Sequence, residues 1–303
     1  MNTLSSTPPD IGIHPSGRRL PATTHLGRVR LAVSSLERSL RFYTEVVGLQ
    51  CVQSDARHAR LAPQGSGNVL LELELSPGVQ PIAPGSRLGL YHTAFLLPGR
   101  EYLGAFVRHL RQQGVPFGAG DHIYSEAIYL TDPDGLTVEV YADRERSNWQ
   151  FEGREIVSAT NPVRLQDLTA LSGEPWRGAP SGTTVGHIHL YVGHLDQAAA
   201  FYHQALGLDL VTWRYPGALF LSAGGYHHHV AVNTWAAGSP EASDKEARLL
   251  VWELVLPTPE DVARTATSLH ATGFQQSSRI ADTVIFGDPW GIQVALKSQV
   301  AQN

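Results

Sequence analysis

The chain has 303 residues, 42% of them hydrophobic and 17% charged, enough apolar material for two globular domains of about 100–150 residues each. A formal net charge of −5 argues against a nucleic-acid surface, and no apolar run approaches the ~18 residues that a membrane span requires. The single cysteine, Cys51, excludes an intrachain disulfide and suits a reducing cytoplasm.

Residues 1–24 are polar and rich in Pro, Ser and Thr, without the apolar stretch of a secretory signal. They read as a tail, either floppy or draped on the surface. Residues 25–78 read strand, helix, strands. Val29, Leu31 and Val33 alternate as a half-buried strand does. Ser34 or Ser35 can cap the helix, and Glu37 suits its first turn. Leu36, Leu40, Tyr43 and Val47 follow at helical spacing, and Gly48 stops the helix. Strands follow around Cys51–Val52, His58–Ala62 and Val69–Leu75. Residues 88–145 repeat this order: strand Tyr91–Leu97, helix Tyr102–Gln113, Gly114, then strands closing on the turn Asp132-Pro133-Asp134-Gly135. Residues 146–182 carry Asn161-Pro162, Ser172-Gly173 and Gly178-Ala179-Pro180 and read as a linker, with a short helix within Asn161–Leu171.

The next segment, 183–236, copies the first at an offset of 159 residues. Arg28-Val29-Arg30-Leu31 matches His187-Ile188-His189-Leu190, Phe42-Tyr43 matches Phe201-Tyr202, and Gly48-Leu49 matches Gly207-Leu208. Residues 246–300 form the fourth copy, with strand Leu250–Leu256, helix Pro259–Ala271 and the turn Asp288-Pro289-Trp290-Gly291. The reading is an α+β chain of four βαβββ modules in two domains, 25–145 and 183–300.

Strand, helix with Phe-Tyr, Leu-Gly and a closing Asp-Pro-Asp-Gly resemble the vicinal oxygen chelate superfamily, which contains glyoxalases, bleomycin-resistance proteins and extradiol dioxygenases. The run Gly224-Gly225-Tyr226-His227-His228-His229 with Asn233-Thr234-Trp235 is similar to bacterial four-module catechol 2,3-dioxygenase-like proteins. The resemblance implies modules paired into two cup-shaped mixed sheets, with a divalent metal held on the first and last strands of a pair. First strands offer Arg28, His92, His187 and Val251; last strands offer Glu72 or Glu74, Glu139, His229 and Ala295. Modules one and four supply no full set, whereas modules two and three together supply His92, Glu139 and His187. Two imidazoles and one carboxylate suit Fe(II), with manganese or another divalent ion as alternatives. Module two would then pair with three, and one with four. Strand parity agrees: Val138 and Val140 flank Glu139, and Ile188 and Leu190 alternate with His187 and His189.

The expected activity is extradiol cleavage of a small aromatic diol by O2. The same resemblance implies acid/base work by His229, with His228 the choice if the strand is shifted by one residue. It also implies active-site roles for Tyr129 and His122. His189, His227 and His228 would contact the substrate, and Trp213, Tyr215, Phe220 and Trp235 would suit an aromatic ring. Two other readings stay open: a glyoxalase-type isomerase or lyase, and a non-catalytic small-molecule-binding protein. The sequence implies neither a nucleic-acid nor a membrane partner, and it allows a homo-oligomer.

Overall fold

The computed structural model describes residues 10–171 and 173–299. Module one comprises β1 (His25–Val33), helix α1 (Leu36–Arg41) continuing as a π-helical turn over Phe42–Val46, β2 (Gln50–Ser54), β3 (His58–Ala62) and β4 (Leu71–Leu75). Module two comprises β5 (Gly89–Leu96), α2 (Arg100–Gln113), β6 (Gly118–Asp121), β7 (Ser125–Thr131) and β8 (Thr137–Asp143). The connection forms a small ribbon, β9 (Phe151–Glu152) with β10 (Glu155–Ile156), and the short helix α3 (Leu165–Ala170). Module three comprises β11 (Thr184–Tyr191), α4 (Leu195–Ala198) with a π-helical continuation over Ala199–Ala205, β12 (Asp209–Thr212), β13 (Ala218–Ser222) and β14 (Val230–Asn233). Module four comprises β15 (Arg248–Leu256), α5 (Pro259–Ala271), β16 (Gln276–Ile280), β17 (Thr283–Gly287) and β18 (Gln293–Ser298). No described helix is long and apolar enough to cross a membrane.

The strands make two eight-stranded mixed sheets, ordered β12-β13-β14-β11-β5-β8-β7-β6 and β16-β17-β18-β15-β1-β4-β3-β2. Within every module the first strand runs parallel to the last. The seams are the antiparallel pairs β5–β11 and β1–β15. Module two therefore joins three, and one joins four, as the ligand chemistry required.

The repeated sequence signatures meet in space. Tyr43, from the Phe-Tyr of module one, donates its hydroxyl to Asp132 in the closing turn of module two at 3.0 Å; Tyr202 does the same to Asp288 at 2.8 Å. Asp132 Oδ1 also accepts the backbone N–H groups of Asp134 and Leu136, and Asp288 those of Trp290 and Ile292. Burial pushes both carboxyls up to about 6, against the backbone and tyrosine hydrogen bonds that favour the ionised form. Each sequence half is thus stitched by its helices while its strands pair with the other half.

The outward aliphatic residues of the site strands (Val138, Val140, Ile188, Leu190, Val230 and Val232) join the main core with Phe106, Phe201 and Trp252. The opposite face of the sheet carries His92, Glu139, His187 and His189 among the smaller apolar groups of Ala94, Ala127 and Tyr141. A second apolar cluster beneath the cup gathers Ile11, Tyr124, Trp149, Ile156 and Phe220. Residues of the tail and linker thus close the cup from below. The described part of the tail is surface-draped: Ile13 bridges to Leu210, and Arg19 forks onto Asp209.

Candidate metal centre

Three side chains converge on the concave face of the module two–three sheet. His92 lies on β5, Glu139 on β8 and His187 on β11, three neighbouring strands. His92 Nε2 is 2.9 Å from Glu139 Oε2, and His187 Nε2 is 3.1 Å from the same oxygen. One ligand atom from each lies within 4.8 Å of the others. Donors bound at about 2.1 Å and at right angles around one ion lie about 3 Å apart, so this spacing fits a cation. All three residues are buried. Nδ1 of His92 and Nδ1 of His187 have no hydrogen-bond partner, and the close approach of His92 Nε2 to Glu139 lacks hydrogen-bond geometry. Orphaned buried nitrogens of this kind are costly unless a further group occupies the site.

The protonation states suit that group. Burial pushes His187 down to about 4 against the pull of Glu139, which keeps its imidazole neutral at pH 7. Burial would raise Glu139, yet His187 and His92 hold it well below the usual carboxylate range. Neutral imidazole and ionised carboxylate are the ligating forms.

A cavity of about 390 Å³ opens onto the three donors. Tyr91, Tyr215, Phe220 and Trp235 form its aromatic wall, with Tyr124, Ser158 and Thr160 on the linker side. Trp213, expected among these aromatics, does not line it. His122 and Tyr129 line it together, joined by a 2.7 Å hydrogen bond between Nε2 and the phenol. His122 Nδ1 lies 2.7 Å from the Ala159 carbonyl, which can only accept. The His122 proton therefore sits on Nδ1, and Tyr129 donates to Nε2. His189 lines the cavity, with Nε2 2.9 Å from the Asn233 amide nitrogen, and burial holds it well below the ordinary imidazole range.

The histidine triplet departs from expectation. His228, not His229, reaches the cavity, its ring 4.1 Å from that of His187 and 5.0 Å from Phe220. His229 lies outside the lining; its Nδ1 accepts the Ala223 backbone N–H at 3.2 Å, and its ring packs on Tyr226. His227 is fully buried behind the cavity, between Asp143 and His228, and does not line it either. The cause is local: β14 begins only at Val230, so His227–His229 form a bend to which strand alternation does not apply. Gly224 and Gly225, both at positive φ, turn the chain into that bend.

The other sheet puts different chemistry at the matching place. Arg28 reaches Glu253 at 2.7 Å and Glu72 at 3.1 Å; Arg30 and Arg60 also hold Glu72, and Lys297 holds Glu253. Burial pushes Glu72 up, but the three guanidinium groups outweigh it and hold its carboxyl down. Here the protein's own cations sit on the carboxylates.

Residues 25–140 and 184–296 match the glyoxalase/bleomycin resistance protein/dioxygenase superfamily, well over half of the chain. The chain belongs to this superfamily. Among the relatives of this superfamily member is the catechol-2,3-dioxygenase of Bacillus subtilis (strain 168), 41% identical over 271 residues, spanning 86% of this chain and 94% of that protein. The fold is shared with a candidate dioxygenase from Bacillus subtilis (TM-score 0.65, 15% identity, 93% of this chain and 87% of that one). It is also shared with glyoxalase I from Zea mays (TM-score 0.55, 16% identity, 90% and 92%).

Proposed function

We propose that the protein is an Fe(II)-dependent extradiol dioxygenase that opens the ring of a catechol with O2. His92, Glu139 and His187 would hold the metal. The observation that carries this reading is the convergence of two imidazoles and one carboxylate at the base of an aromatic-walled cavity. The relative named catechol-2,3-dioxygenase supports it, with coverage of almost its whole length. Three protein ligands leave other coordination positions open. When bound, the ion supplies a chelation point for both catechol oxygens, a place for O2, and a lowered catechol pKa.

The protein's own groups do the rest. Burial holds His228 well below the ordinary imidazole range, so it is neutral at pH 7 and able to accept the catechol proton. Tyr129, with its phenol kept protonated by burial and by the nearby Glu139 charge, gives that proton to His122 and turns its oxygen to the cavity wall as a hydrogen-bond acceptor. Tyr91, Phe220 and Trp235 give the ring an aromatic wall to pack against. Both oxygen atoms of O2 enter the product, so no external reductant is needed.

Anaerobic reconstitution with Fe(II), then addition of catechol and O2, tests the reading. Oxygen uptake with a yellow ring-opened product is expected. Metal binding without oxygen uptake would favour an isomerase or lyase, and ligand binding without metal a sequestering protein. His187→Ala should abolish metal retention while Arg28→Ala preserves it; equal loss in both would refute the assignment.

A further inference from the structure

Behind the cavity, a chain of hydrogen bonds runs from the end of β8 to the histidine that faces the substrate. Asp143, four residues beyond Glu139 on the same strand, places Oδ1 2.9 Å from His227 Nε2. His227 Nδ1 is 2.8 Å from His228 Nδ1. His227 is held flat by Tyr124, stacked at 4.3 Å and 13°, and by Tyr226 at 4.0 Å. We propose that Asp143 and His227 are positioning residues that fix the proton of His228 on Nδ1, leaving Nε2 as the proton acceptor.

The argument follows from donor and acceptor counting. An ionised carboxylate only accepts, so His227 carries its proton on Nε2. When the ring holds that one proton, its Nδ1 is an acceptor. A 2.8 Å contact between two ring nitrogens needs one proton between them, and it must come from His228. With its one ring proton on Nδ1, His228 keeps its lone pair on Nε2. Reversal of the His227 tautomer would reverse His228 and turn an acceptor into a donor. The same logic explains why Asp143 lies at the edge of the fold while His227 is fully buried. The charge stays 26% exposed, and its directional effect reaches inward through a rigid ring.

This proposal rests on His228 acting on the substrate, but its test does not need turnover. Long-range ¹H–¹⁵N spectra of the zinc-loaded protein report which imidazole nitrogen carries hydrogen. The wild type should show His228 protonated on Nδ1 only. Asp143→Asn should give a mixture of tautomers and lower kcat of the iron-loaded enzyme about 10–100-fold, with KM and metal content unchanged. Asp143→Glu, which restores the carboxylate, should recover most of both signals. A wild-type His228 protonated on Nε2 overturns the relay, as does Asp143→Asn with an unaltered His228 spectrum and kcat. Absence of oxygen uptake with every catechol is a separate result that overturns the ring-cleavage reading and leaves the spectrum to judge the relay.

Discussion

Lowering the pH should destabilise the metal-free protein through its buried histidines, and His229 allows one share to be isolated. Its ring is buried outside the cavity, and its Nδ1 accepts the Ala223 N–H. Burial, with smaller contributions from His227, His25 and His187, depresses it from 6.5 to about 3. The unfolded chain binds the proton that the folded ring refuses, so stability rises with pH. The contribution is complete above 6.5 and is lost as the pH falls toward 3. At pH 5 the unfolded imidazole lies 1.5 pH units below its own pKa, which corresponds to a loss of about 2 kcal/mol relative to pH 7. His229→Gln keeps an oxygen to accept the Ala223 N–H but cannot titrate. Urea unfolding of the metal-free wild type and this variant at pH 7 and 5 should show the variant losing about 2 kcal/mol less. His187, depressed to about 4, weakens both proteins alike and cancels in the difference. An identical fall in the two proteins would refute the reasoning.

Three further outcomes are expected. His228→Ala should slow oxygen uptake per bound iron by about 10²–10⁴ while metal content holds, and His229→Gln should leave turnover unchanged; the reverse ranking would return the acid/base role to His229. Gly186→Ala would bring a methyl group within 1.9 Å of the Tyr141 hydroxyl, which bonds to Tyr226 at 2.8 Å. It should cost about 1–3 kcal/mol in urea unfolding, and wild-type stability would mean that Tyr141 moves aside freely. Glu72→Gln removes the carboxylate shared by Arg28, Arg30 and Arg60; a loss of about 1–3 kcal/mol with unchanged metal content is expected, and metal loss would contradict the division of labour between the sheets.

The residues that could be placed from sequence sit on regular strands. Glu139 lies in an unbroken register and His187 in the regular stretch between two irregularities of its strand pair, so their flanking apolar neighbours announced which way they point. Ligand chemistry then favoured the module pairing, because joining one with two and three with four would have split His92 and Glu139 from His187. Periodicity ended where the backbone bent: the triplet His227–His229 lies before β14, and His228 rather than His229 lines the cavity. Ser158 and Thr160 were not legible at all, since they reach the cavity from the linker. Asn233 carried a weak signal, quoted within the Asn-Thr-Trp motif, but its amide contact with His189 crosses two strands and leaves no local pattern.

Because strands of one half complete sheets begun by the other, the chain has consequences for its own assembly. The β1–β15 seam joins His25 to Val255, so the last quarter must be synthesised before the first quarter finds its neighbour. Contacts so distant along the polypeptide slow the search for the native state. A gene cut within 146–182 would yield two fragments, each with bare, largely apolar strand borders at β1 and β5 or at β11 and β15. Produced separately, such fragments should aggregate; produced together, they should rescue one another.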